Sequence, residues 1–285
     1  MSDDLKVLVI GGTGRVGRML RRHWRAAPPR GMALTYQARQ GGDITWDASD
    51  GPGALAAHGP FDRLLVLAGV TPGPGVDARA DMAQNVEIAR ACQAAAAQMG
   101  AAHMLLASSS AVYGTALSRP YREDDRPAPT SPYGKAKLAA EAAVQSGAPA
   151  VCALRIGNVL GADALMLNAA RAKAQAPLML DRFADGHGPL RSYIGPATLA
   201  GVLETLLEAG PGLPETLNIG APAPVAMQSL LEASDTPYRM RPAPPEAVQT
   251  VTLDCGALAT LHAFPPQAAT APQMVAEWHR LRDAP

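Results

Sequence analysis

The sequence is sparing with lysine, aromatic residues and cysteine, and it carries no charge surplus. Of its 25 cationic side chains only four are lysines: Lys6, Lys135, Lys137 and Lys173. Lys plus Arg equals Asp plus Glu, so the formal net charge is zero. That argues against a general nucleic-acid binder, which carries a basic excess. The three cysteines, Cys92, Cys152 and Cys255, are scattered without metal-ligand spacing. They read as reduced structural thiols, and no metal site is expected. No apolar run approaches the roughly 18 residues of a membrane span; "RLLVLAGV" has the length of a buried strand. The opening "MSDDLKVLVI" lacks a cationic stretch before its apolar residues, so no secretory signal and a cytoplasmic location are expected.

What is present is an apolar fraction of 48% over 285 residues, enough for a packed core. Short apolar runs alternate with longer helical patterns through the first 160 residues. Strands are expected at 6–10, 32–36, 63–69, 103–110 and 150–157, with helices at 15–25, 81–100 and 133–146. A helix at 192–210 and a strand at 216–220 complete the pattern. Such alternation implies an α/β fold, a Rossmann-type doubly wound parallel sheet with a smaller, interleaved C-terminal substrate lobe. The expected division is a dinucleotide-binding domain at 1–160, with 191–220 returning to it, and a small lobe made of 161–190 and 221–285.

"VLVIGGTGRVGRML" places Gly11, Gly12, Gly14 and Gly17 between a strand and a helix. Glycines there let the backbone approach a pyrophosphate, and the helix start offers free N–H groups and a positive dipole end. Gly11, Gly14, Arg15, Val16 and Gly17 are therefore cofactor candidates. The second strand ends in "TYQARQ", without the acid that holds the ribose of NAD. Arg15 and Arg39 offer guanidinium forks suited to a 2′-phosphate, which favours NADP over NAD. Asp47 is placed to meet the adenine, with Asp43 as the competing choice.

"SPYGKAKL" sets Tyr133 and Lys137 four positions apart, hence on one helix face. Ser131 is a natural N-cap and Pro132 a natural first helical residue. A tyrosine with pKa near 10 is a poor base, but a nearby ammonium and an oxidised nicotinamide favour its phenolate. It can then exchange a proton with a substrate hydroxyl or carbonyl while hydride passes between carbon and cofactor. "ASSSAVYG" supplies serines at a strand end to hold the same substrate oxygen.

"GGTGRVG", "SSSAVYG", "SPYGKAKL" and "LRIGNVLG" follow one another in an order that resembles an extended short-chain dehydrogenase/reductase. The specific likeness is to the NAD-dependent epimerase/dehydratase family, UDP-galactose 4-epimerase-like. The resemblance implies Ser109 as the catalytic hydroxyl, with Ser110 as near alternative and substrate contact, beside Tyr133 and Lys137. It places Leu67, Ala68 and Gly69 along the cofactor, with Asn85, Tyr133 and Lys137 also touching it. It makes Asn158 and Arg191 substrate contacts and Arg155 structural. Family dehydratases carry an Asp-Glu pair where this chain has Ser110 and Ala111, which argues against a dehydratase. The implied activity is hydride transfer at a hydroxyl or keto carbon of a small-molecule substrate, a sugar or nucleotide sugar. An NADPH-dependent carbonyl reductase is favoured over an epimerase with tightly held NAD, and a non-catalytic dinucleotide sensor is the third reading. A homodimer is also implied by the resemblance.

Overall fold

The computed structural model describes residues 4–72, 77, 80–172 and 177–282. In chain order the elements are β1 (Leu5–Ile10), α1 (Arg15–Ala26), β2 (Met32–Ala38), β3 (Ile44–Thr45), α2 (Pro52–Ala56), β4 (Arg63–Val66) and α3 (Ala80–Met99). They continue with β5 (His103–Ser109), α4 (Pro132–Val144), β6 (Ala150–Ile156), β7 (Asn158–Val159), α5 (Ala164–Ala169), β8 (Leu178–Arg182) and β9 (Leu190–Arg191). Last come β10 (Tyr193–Ile194), α6 (Pro196–Ala209), β11 (Thr216–Ile219), β12 (Val225–Ala226), α7 (Met227–Ala233), β13 (Tyr238–Pro242), β14 (Thr250–Val251), α8 (Gly256–Leu261) and α9 (Ala271–Arg282).

Seven strands form one sheet in the order β11-β6-β5-β4-β1-β2-β3. β1 pairs in parallel with β2 and β4, and β4 in parallel with β5. The sheet is a Rossmann-type α/β fold, as the alternating pattern implied. Val7 to Ile10 are wholly buried, as expected of a parallel strand covered on both faces. Strand and helix residues such as Leu8, Leu64, Met104, Ala89, Cys92 and Val144 share one apolar core.

The chain divides into two compact units. The first comprises 1–114, 125–155 and 203–217; the second comprises 115–124, 156–202 and 218–285. The second has its own core, around Leu160, Tyr193, Leu230 and Met274. Among the described residues no helix is long and apolar enough to cross a membrane.

Two boundaries differ from the sequence expectation for physical reasons. β4 stops at Val66, and Leu67 and Ala68 both turn their N–H groups onto the Ile10 carbonyl, 2.8 and 3.1 Å away. The helix expected over 192–210 begins only at Pro196, because Tyr193 and Ile194 pair with β7. Its start is held by the buried Glu277 carboxylate, which accepts from the N–H groups of Ala197 and Thr198 at 3.0 and 2.9 Å.

Candidate active site

The glycine loop is shaped by close backbone contacts. Gly11 has φ +87°, and a side chain on it would stand 2.6 Å from the Ala68 nitrogen. A Cβ on Gly17 would meet the Gly11 carbonyl at 2.3 Å. These two positions therefore require glycine. Gly14 is the N-cap of α1 and has no side chain to cap it, which leaves the first-turn N–H groups, at Arg15 and the half-buried Val16, for a ligand. This cradle fits a dinucleotide's pyrophosphate.

At the end of β2, no carboxylate follows directly. Gln37 stands at the strand end: its main-chain oxygen accepts from Gly11 and Gly12 at 3.0 and 2.9 Å, and its amide donates to the Trp46 carbonyl. Asp43 folds back on the strand, accepting from the Tyr36 N–H at 2.8 Å and pairing with Arg21 at 3.3 Å. Asp47 caps the turn 48–50, accepting from the Ser49 N–H at 3.0 Å and its hydroxyl at 2.8 Å. Those bonds, and the nearby Arg39 charge, hold its carboxyl below the usual range. Arg39 itself is exposed. Arg15 faces elsewhere: its Nη2 donates to Thr71 Oγ1 at 2.8 Å, and its charge acts on Tyr133.

The two predicted caps of α4 form as expected, with Ser131 accepting from the Gly134 N–H at 3.0 Å and Pro132 opening the helix. Tyr133 is half-buried, with the Ser109 side chain near enough to act on its phenol. Burial pushes its phenol up, while the Ser109 side chain and the Arg15 charge pull it down. Ser109 ends β5 and also accepts from the Ala111 N–H at 3.2 Å. Ser110 follows it in the turn 110–112. Lys137 is 6% exposed and donates from Nζ to the Ala107 carbonyl at 3.0 Å. Burial lowers its pKa to about 8, opposed by the Glu141 carboxylate.

Gly69 lies against this cation: a Cβ there would stand 2.8 Å from Lys137 Nζ and 2.6 Å from Asn85 Oδ1. Asn85 secures the loop after β4, accepting from the Val70 N–H and donating to its carbonyl, both at 3.1 Å. Ser109, Tyr133, Lys137, Gly69 and Asn85 therefore cluster within the first unit. Asn158 and Arg191 belong to the second unit. Asn158 donates to the Ser192 carbonyl at 3.3 Å. Arg191 is fastened to main chain, with Nη1 on the Leu190 carbonyl and Nη2 on that of Val248, each at 2.8 Å.

Sequence reasoning missed a buried polar group beneath the cluster. Glu141 is 1% exposed and lies one turn beyond Lys137. It takes the Ser108 hydroxyl and an ion pair from Arg155 at 3.0 Å. The Tyr-x-x-x-Lys-x-x-x-Glu spacing was the available signal, since all three residues share a helix face.

A family model described as the NAD dependent epimerase/dehydratase family matches residues 7–205. A curated relative from Kitasatospora kifunensis, dTDP-6-deoxy-L-talose 4-dehydrogenase (NAD(P)(+)), is 30% identical over 251 residues, 80% of this chain and 77% of its own. A solved UDP-glucose-4-epimerase from Stenotrophomonas maltophila, with bound NAD and formylated UDP-arabinopyranose, has a TM-score of 0.77 at 19% identity, over 99% of this chain and 100% of that one. TunA, an NAD dependent NDP-hexosamine 5,6-dehydratase of tunicamycin biosynthesis, has a TM-score of 0.75 at 19% identity, over 99% of both chains. The two solved structures share the fold.

Proposed function

The chain belongs to the NAD dependent epimerase/dehydratase family, and from that membership we propose that it is an oxidoreductase interconverting a hydroxyl and a keto group on a nucleotide-linked sugar. The observation that carries this reading is the grouping of Tyr133, the Ser109 side chain that acts on its phenol and the buried Lys137 one helical turn away, against Gly69. When bound, the nicotinamide dinucleotide supplies or accepts the hydride. Tyr133 gives the proton to, or takes it from, the substrate oxygen, and Ser109 holds that oxygen in line. Lys137 adds positive charge that favours the phenolate and donors for the nicotinamide ribose. Asn158 and Arg191 contact the substrate in this reading, and 161–190 with 221–285 form its lobe.

A reductase or dehydrogenase with exchangeable cofactor is favoured over an epimerase. The curated relative from Kitasatospora, a 4-dehydrogenase of a dTDP-linked 6-deoxyhexose that uses NAD(P), supports C4 of a 6-deoxyhexose as the reacting carbon. Elimination is disfavoured by residues, since Ser110 and Ala111 carry no carboxyl group. The likeness to TunA concerns fold and does not bear on that choice. Tyr133→Phe is expected to reduce turnover of a nucleotide-linked 4-keto-6-deoxyhexose at least a hundredfold, about the contribution of a positioned acid–base group, while cofactor binding by fluorescence titration stays unchanged. Full turnover by that variant would refute the reading.

NADP is the preferred cofactor in this reading, with Arg39 as the 2′-phosphate ligand and Arg15 nearer the tyrosine. In fluorescence titrations Arg39→Ala should weaken NADPH about tenfold and leave NADH nearly unchanged. Equal losses for both would remove Arg39 from that role, and wild-type preference for NADH would favour the epimerase with retained NAD.

A further inference from the structure

Three consecutive residues at the end of β5 each engage α4 at a different turn. The Ala107 carbonyl takes Lys137 Nζ, the Ser108 hydroxyl donates to Glu141, and the Ser109 side chain meets Tyr133. Tyr133, Lys137 and Glu141 follow one another at four-residue spacing along one face. We propose that Ser108, Glu141 and Arg155 form a buried latch that positions Ser109 against Tyr133. The inference rests on the reading of Ser109 and Tyr133 as the reacting pair.

The latch grips the serine segment from both sides. Before Ser109, the hydroxyl of Ser108, which is 5% exposed, is bound to Glu141. Beyond it, the Tyr113 hydroxyl accepts from Arg155 Nη1 at 2.9 Å, and the same guanidinium lies 4.9 Å from the Tyr113 ring centre. Arg155 comes from β6 and closes the circuit by donating Nε to both Glu141 oxygens at 3.3 Å and Nη2 to one at 3.0 Å. One guanidinium thereby ties together β6, α4 and the turn that follows Ser109.

The chemistry of the latch argues for positioning rather than stability alone. A buried ion pair can often be replaced by apolar residues of similar volume without loss of stability, so stability alone does not account for its presence here. What the ion pair adds is direction. Both Glu141 oxygens are occupied by donors from two different strands, Ser108 on β5 and Arg155 on β6, so the strand end has little freedom to slide along α4. A displacement of about 1 Å at a reacting group can cost on the order of a hundredfold in rate.

Ser108 and Glu141 touch neither substrate nor cofactor in this scheme; they are positioning residues. Their effect is read at the Tyr133 phenol, on which Ser109 from β5 and Arg15 from the start of α1 act, with Lys137 following one turn along the same helix. Tyr133 ionisation is followed in the cofactor-free full-length protein by ultraviolet difference titration, each variant being compared with the same variant carrying Tyr133→Phe. Ser109→Ala removes the hydroxyl that favours the phenolate and should shift the titration to higher pH. Ser108→Ala should shift it in the same direction, and Ser108→Thr, which keeps a hydroxyl, should return it to the wild-type position. Tyr113→Phe, which keeps the ring but cuts the bond to Arg155, should also raise it and serves if Ser108→Ala does not fold. In turnover of a nucleotide-linked 4-keto-6-deoxyhexose, Ser108→Ala should lower kcat about tenfold with KM nearly unchanged.

A wild-type titration in folded Ser108→Ala, or in Tyr113→Phe where the first does not fold, would overturn the latch. Absence of any turnover by the wild-type protein would instead refute the proposed function, and the titration would still decide the latch.

Discussion

Lys137 is a cation held out of water. Its side chain is buried and bound to the Ala107 carbonyl, and its pKa falls from 10.5 to about 8. Between those values the unfolded chain binds the proton and the folded chain does not, so this residue makes stability rise with pH across that window. The destabilisation is fully present below about 8. Urea unfolding of the cofactor-free protein near pH 8 and near pH 10 should therefore show a larger gain, or a smaller loss, than the same comparison for Lys137→Met. Equal changes in the two proteins would mean that Lys137 is more solvated than its burial implies. Glu141 makes the complementary case: Glu141→Ala leaves Arg155 buried without its carboxylate and should cost about 3–5 kcal/mol in urea unfolding.

At the scale of elements, α1 and α4 show how much local chemistry can specify. α1 begins where three glycines leave the backbone free to cross β1 and the loop after β4. Gly17→Ala would drive a methyl to 2.3 Å from the Gly11 carbonyl. It should weaken both NADH and NADPH binding at least tenfold and lower the thermal midpoint, because backbone rather than a movable side chain must yield. α4 begins at Ser131 and Pro132 for reasons written in adjacent residues. The region from 192 to 196 is the counterexample. Its sequence carries an apolar helical pattern, yet Tyr193 and Ile194 pair with Asn158 and Val159. The helix start depends on Glu277, about eighty positions away in the chain. Nothing near residue 196 announces that partner.

Across the molecule, acid should unfold the protein partly through His103. It is buried at the start of β5, beside Arg63 of β4, and its pKa is lowered to about 4 by burial and by that guanidinium. The unfolded chain binds a proton near 6.5 that the folded chain refuses until about 4, so stability is lost as pH falls through that interval. His103→Leu should flatten the fall in thermal midpoint between about pH 6.5 and 4; an unchanged slope would assign the acid sensitivity to other groups.

Much of the fold and the heart of the candidate site could be read from the chain because they rest on short-range geometry. A buried parallel strand shows itself as an apolar run, a helix start as Ser-Pro, a tight turn from strand to helix as spaced glycines, and a Tyr-Lys pair as a four-residue interval. Each of these is decided by neighbours within about two helical turns. Partner choice is decided otherwise. Arg15 stands in the glycine loop in sequence, but its hydrogen bond goes to Thr71, 56 residues on. Arg191 stands among unrelated neighbours in sequence, and its Nη2 donates to a carbonyl 57 residues away. Ser108 reaches Glu141 across 33 residues. The face on which a side chain lies follows from the helical or strand period, so the sequence alone settled which residues could meet on α4. Which buried donor satisfies which buried acceptor depends on how the sheet stacks its strands and helices, and only the tertiary structure decided that.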